Sequence, residues 1–200
     1  MARRKNTKAL LVAAAREAIV EVGWSGANSR WIATRAGLPL GTLNYHFRSK
    51  DDLLRLAAVT GIKEMFAAPR STLTETRTAA ELLEFTVSWS GSDALDRSGK
   101  ILLLEATLAS LRDPGLADEV DELIGQWRHL LADRLHALGV PGDDAHALAA
   151  ALVAALDGLV LHRFIDRGYP STGTAELGAA LRERLDRLTG DTADSKDAVL

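Results

Sequence analysis

The chain has 200 residues, 24 Lys and Arg against 27 Asp and Glu, a formal net charge of -3, 47% hydrophobic residues and no cysteine. This balance describes an ordinary globular chain and excludes collagen-like and disordered classes. The missing thiols exclude a disulfide framework, a thiolate zinc site and a cysteine nucleophile. Thirty-three alanines and 33 leucines, against five prolines and a 5% aromatic share, predict a protein built mostly of helices. Charge is unevenly placed. Residues 1–50 hold nine basic residues (Arg3, Arg4, Lys5, Lys8, Arg16, Arg30, Arg35, Arg48, Lys50) against Glu17 and Glu21, a net of +7, so the other 150 carry -3 minus 7, or -10. The basic quarter is where a polyanion would bind.

Met1-Ala2-Arg3-Arg4-Lys5 is not followed by the apolar run of a secretory signal. The longest apolar run, Ala147 to Leu161, is interrupted by Asp157 and falls short of the roughly 20 residues of a membrane span. A cytoplasmic protein with no membrane partner is expected.

Leu11, Ala14, Ala15, Ala18, Ile19 and Val22 recur at helical spacing and predict a first helix over Thr7–Val22, stopped at Gly23. Asn28 is a natural N-cap for a short second helix over Ser29–Ala36, ended by Gly37. A third covers Leu40–Phe47 and buries Leu43 and Phe47. Two short helices joined by a few residues containing glycine read as a helix-turn-helix. Ser49 followed by Asp52 caps a fourth helix that runs to Phe66. Residues Ala67–Thr78 read as loop. The following helices are expected over Ala79–Ser90, Ser98–Arg112, Leu116–Leu138, Asp143–Arg167 and Thr174–Leu188, before a frayed polar tail over Thr189–Leu200. From Ala145 to Leu161 only His146, Asp157 and Gly158 are not apolar, so this helix has no face for water. Either its own subunit covers it or, as the simpler solution, a second copy does, with Leu177, Leu181, Leu185 and Leu188 completing a four-helix interface.

The stretch from Ile32 to Leu54 contains an Ile-Ala pair, an Ala36-Gly37 turn, Gly41-Thr42-Leu43 opening the third helix, His46-Phe47, and Ser49-Lys50 followed by two acids and two leucines. It resembles the DNA-binding signature of the TetR family of bacterial transcriptional regulators. The clear resemblance covers residues 7–55. It implies an all-α fold of about nine helices: a helix-turn-helix DNA-binding domain over 1–55, a ligand-binding and dimerisation domain over 56–188, and a disordered tail over 189–200. It further implies a homodimeric repressor that leaves a palindromic double-stranded DNA operator when a small-molecule effector binds. Half-sites would lie about 34–36 Å apart or near a multiple of that.

By position in the family motif, Arg30 can read a guanine edge or hold a phosphate. Leu40 and Thr42 open the recognition helix, where an apolar group meets a thymine methyl and Thr42 bonds a base or phosphate. Tyr45 and His46 fall where family members contact phosphate or base, and Lys50 adds its charge to a helix dipole aimed at a phosphate. Asn44 departs from the family's usual Tyr and either pairs with adenine or is neutral. Pro39 replaces a usual Ser and presets the helical turn. Trp31, placed outward by helical phase, has no evident role. Arg3, Arg4, Lys5 and Lys8 form either a DNA-reaching arm or a solvated tail, and the basic domain implies steeply salt-dependent binding.

In the second domain Phe85, Trp89, Trp127 and Phe164 either line an apolar ligand pocket or pack a core. Glu105 and Asp157 interrupt apolar runs, and each as a buried acid needs an internal partner or a cationic ligand. Histidines 46, 129, 136, 146 and 162 lack a second ligand at metal spacing, and no phosphate-cradling loop or nucleophile elbow is visible. No enzyme activity, cofactor or metal is expected. The alternative function is a ligand-independent dimeric DNA-binding protein whose C-terminal domain only dimerises.

Overall fold

The computed structural model describes residues 2–91, 97–165 and 171–197, without the side chains of 2–5, 90–91, 171–174 and 189–197. Among the described residues there are nine helices and no strand: α1 (Ala2–Gly26), α2 (Ser29–Arg35), α3 (Gly41–His46), α4 (Lys50–Glu75), α5 (Ala79–Gly91), α6 (Arg97–Ser110), α7 (Pro114–Ala137), α8 (Gly142–Ile165) and α9 (Ser171–Asp197). They form two compact units, Met1–Met65 with Asp96–Leu123, and Phe66–Leu95 with Ile124–Leu200.

In the first unit α1 buries Leu11, Ala14, Ala15, Ala18 and Ile19 of the stripe its periodicity predicts, against α2 and α6, whereas Val22, expected in the same stripe, is exposed. Burying such side chains is worth about 1.5–3 kcal/mol for each large aliphatic one, which is what holds the short helices α2 and α3. Ile32 and Ala33 of α2, Leu43 of α3, and Leu53 and Leu54 of α4 complete this core. The backbone of α1 is helical from Ala2, so the basic segment read as either a DNA-reaching arm or a solvated tail continues the helix; the side chains of Arg3, Arg4 and Lys5 lie outside the described residues.

Helix α4 corrects the sequence reading. It does not end at Phe66 but runs to Glu75 with Pro69 inside it, so most of the expected loop over 67–78 is helix. An interior proline removes one backbone bond and costs roughly 3 kcal/mol. Pro69 and Leu73, one turn apart, are both buried, and that apolar stripe carries the helix through.

The second unit is built on Leu82, Leu83 and Val87 of α5, Trp127, Leu131 and Leu135 of α7, Leu148, Leu152 and Leu156 of α8, and Leu185 and Leu188 of α9. Arg134 donates to the carbonyl of Thr76, and Arg182 and Arg184 pair with Glu84 and Asp144. Leu185 and Leu188, expected between two copies, are buried in the unit's own core, with α9 packed on α5. Helix α9 also continues past Leu188 to Asp197; residues 198–200 of the expected tail lie outside the described residues.

Helix α8 buries Ala145, Leu148, Ala149, Leu152, Val153 and Leu156 along one face. The opposite face is uncovered and still apolar: Ala147, Ala150, Ala151, Ala154, Leu161 and Ile165 are exposed. At 24 residues α8 is, by length and composition alone, long and apolar enough to cross a membrane, which the broken run counted from the sequence did not indicate.

Candidate nucleic-acid interface

The helix-turn-helix is assembled from local hydrogen bonds that the residue types dictate. Asn28, extended at φ -96 and ψ 158, caps α2 by accepting the Trp31 N–H at 3.0 Å. Past the end of α2, Gly37 lies at φ 66, in the left-handed region that only glycine enters at little cost. Its N–H donates to Thr34 O at 3.1 Å and that of Leu38 to Ala33 O at 3.0 Å, the paired bonds of a Schellman turn. Helix α3 then opens without a side-chain cap, on Pro39 O accepting from Thr42 at 2.9 Å. Ser49 Oγ accepts the Asp52 N–H at 3.0 Å and caps α4.

This framing decides which side chains face outward. Leu43 and Phe47 turn into the core, while Leu40 at 48% and Tyr45 at 67% exposure stand out from it. Asn44 and Arg30 are exposed, and Thr42, His46 and Lys50 are half-buried. The Tyr45 and His46 rings meet edge to face at 5.2 Å. Lys50 Nζ lies 3.5 Å from Asp51 Oδ1, and Lys8 of α1 sits 5.5 Å from the centre of the Phe47 ring. The seven residues singled out from the sequence thus lie on α2, at the N-cap and along α3, and at the start of α4.

The same helices carry contacts that the sequence did not reveal. Trp31 is half-buried, and the Arg35 guanidinium lies 5.9 Å from its ring centre. Arg35 hydrogen-bonds Glu17 and lies 3.4 Å from Glu21, both on α1; the Glu17 bond first, then the two negative charges, raises its pKa above the ordinary arginine value. Trp31 thus has a structural role as the apolar plate under a pinned arginine. Arg16 of α1 pairs with Glu64 of α4 at 2.6 Å. Its hydrogen bond, working against burial, lowers the Glu64 pKa.

Residues 11–57 match the model of bacterial regulatory proteins of the tetR family, and residues 73–191 that of the tetracyclin repressor-like C-terminal domain. The chain belongs to the TetR family. An uncharacterised HTH-type transcriptional regulator of Mycobacterium tuberculosis is 25% identical over 170 residues, 80% of this chain and 84% of that protein. A transcriptional regulator from Rhodococcus sp. Rha1 superposes with a TM-score of 0.75 at 25% identity, covering 90% of this chain and 95% of that one. The multidrug binding protein EbrR, complexed with proflavin, is 31% identical with a TM-score of 0.61, covering 91% of this chain and 99% of that one. As a TetR-family member the protein is a DNA-binding transcriptional regulator.

The residues expected to hold an effector are divided in this TetR-family chain. Trp89 and Trp127 gather with Phe66, which the sequence reading placed only at a helix end. Phe66 stacks on Trp127 at 5.1 Å and 17°, and Trp89 lies 5.6 Å from Trp127. Trp127 is buried in the core, and Phe85 packs partly buried against it. Asp157, expected to be a buried acid, is instead exposed on the uncovered face of α8, and partial desolvation there pushes its carboxyl pKa up to about 6. Glu105 belongs to the other unit, and its carboxylate accepts the Trp24 N–H.

Proposed function

We propose that the protein is a homodimeric repressor that a small molecule releases from a palindromic operator, acting in the cytoplasm. The observation that carries this reading is the outward face of α3: Leu40, Asn44 and Tyr45 are exposed while Leu43 and Phe47 are buried, the division of a helix that enters a major groove. Arg30, Asn44 and Thr42 would read base edges, and Tyr45, His46 and Lys50 would hold phosphates and fix register. Two copies would meet through the apolar outer face of α8, helped by the exposed Ala175, Ala179 and Ala180 of α9. Small side chains allow close approach, and a second copy would remove Leu161 and Ile165 from water.

The effector would sit among the helices of the second unit near Phe85, Trp89 and Trp127, with Asp157, on the uncovered face of α8, at the dimer contact. The multidrug binding protein EbrR, solved with proflavin, supports a small flat molecule as effector. By binding the state whose half-sites cannot both be reached, such a molecule shifts the population off DNA. The second reading, a DNA-binding protein whose second unit only dimerises, is favoured by one observation: the Phe66, Trp89 and Trp127 rings stack on each other.

Selection of bound DNA from a random pool by the purified protein, at two salt concentrations, tests the DNA reading. An enriched inverted repeat is expected, and salt-sensitive binding with no enriched sequence would refute it. Melting scans against a panel of flat aromatic cations then separate the two readings of the second unit.

A further inference from the structure

Helix α1 is broken near its end. Gly23 lies at φ 74 and ψ 169, and the turn after it closes with Ala27 N–H donating to Gly23 O at 3.1 Å. The first N–H groups of such a turn have no partner along the chain, and the usual remedy is a side-chain oxygen from the residue before. Here that residue is a glycine and has none. The oxygen comes instead from α6, 81 residues away: Glu105 Oε2 accepts the Trp24 N–H at 2.8 Å. Both Glu105 oxygens lie 3.5 Å from where a Cβ on Gly23 would be, so the carboxylate occupies the space a capping side chain would have filled.

From this cap the chain runs without slack into the DNA-binding helices. Ala27 is fully buried. Asn28 Nδ2 donates to Gly26 O at 3.3 Å while its Oδ1 caps α2, and Ile32 N–H donates to Asn28 O at 3.1 Å. Gly37 then fixes α3 to α2. A run of hydrogen bonds thus leads from Glu105 through Trp24, Ala27 and Asn28 into α2 and the turn that precedes α3, and α6 packs along α1.

We propose that Glu105 is a positioning residue for DNA binding: its carboxylate caps the broken end of α1, fixes the joint between α1 and α2, and so sets how α3 is presented to DNA. Specific contacts depend on that presentation, whereas phosphate attraction tolerates its loss. The inference rests on α3 being the DNA-reading helix.

The test compares native protein with Glu105→Ala and Glu105→Gln, all far below their melting transitions. Amide hydrogen exchange over residues 24–36 is read without DNA; affinity is read for the duplex enriched by selection and for a random-sequence duplex. Glu105→Ala should speed exchange at Trp24 and weaken the enriched duplex about tenfold, the equivalent of a lost cap of roughly 1.4 kcal/mol, while random-sequence binding stays within about twofold. Glu105→Gln keeps an acceptor oxygen and should restore affinity to within about threefold of native. Native affinity for the enriched duplex in Glu105→Ala would overturn the proposal whatever its melting temperature, as would unchanged exchange at Trp24. A native protein that enriches no sequence would refute the operator reading instead, and the native control reports this before any variant is measured.

Discussion

Replacing Asp113 by alanine should cost more than its place in a turn suggests. Asp113 takes two hydrogen bonds from Arg55 Nη2, at 2.8 and 2.9 Å, and its Oδ1 also accepts the Leu116 N–H at 3.1 Å. It is therefore at once the N-cap of α7 and the main partner of an α4 arginine whose second nitrogen lies 3.8 Å from Glu119. A cap is worth about 1 kcal/mol. A charge-assisted hydrogen bond is worth roughly 1.5–3 kcal/mol, and with side chains 32% and 30% exposed the low end applies. Asp113→Ala should thus lose about 2–3 kcal/mol in urea unfolding, a fall of about 4–12 °C in melting temperature for a chain of this size. Asp113→Asn, which keeps the cap oxygen, should lose about 1 kcal/mol. Burial pushes the Asp113 carboxyl up, but the bonds from Arg55 and from the Leu116 and Gly115 N–H groups outweigh it and lower its pKa. A pKa lowered on folding adds stability above the unfolded value of about 4 and loses it as pH falls through the folded value. The gap between native and Asp113→Ala should accordingly narrow in acid. A loss below about 0.5 kcal/mol at neutral pH, the range of an indifferent surface change, would refute the reasoning.

Gly37→Ala forces a side chain into φ 66 at the turn before α3 and should cost about 1–2 kcal/mol, read by denaturant unfolding. Tyr45→Ala and Lys50→Ala should weaken enriched and random duplexes alike in a gel shift, whereas Arg30→Ala should also relax preference at one base position; equal losses on both duplexes for Arg30→Ala would remove its base-reading role. Ala154→Glu puts a charge on the uncovered face of α8 and should give a folded monomer by sedimentation, with dimer persistence locating the contact elsewhere.

What the sequence made legible was local. The caps Asn28 and Ser49 and the stop at Gly37 act within four residues, and the apolar period of α1 needs only one helix to be seen. What stayed hidden joins distant residues. A composition rich in Ser, Thr and Arg argues for a loop where burial of Leu73 keeps α4 helical. Trp31 lacked a role because its partner, Arg35, is held in place by α1. Glu105 drew attention as an acid in an apolar run, yet nothing local could connect it to an N–H 81 positions earlier. The leucines of α9 had the right period for burial, but a period does not say which neighbour does the burying.

The pairing of arginines on α1 and α2 changes how the basic quarter should be weighed. Only a cation free to meet phosphate displaces a counterion from DNA, and each one that does steepens the fall of affinity with salt by a fixed increment. Arg16 is committed to Glu64, and Arg35 to Glu17 and Glu21. Of the nine basic residues in the first 50, these two, and Lys50 beside Asp51, already sit against carboxylates at the protein's surface. The counterions released on binding should therefore number fewer than composition suggests, and that basic charge instead ties α1 to α2 and to α4.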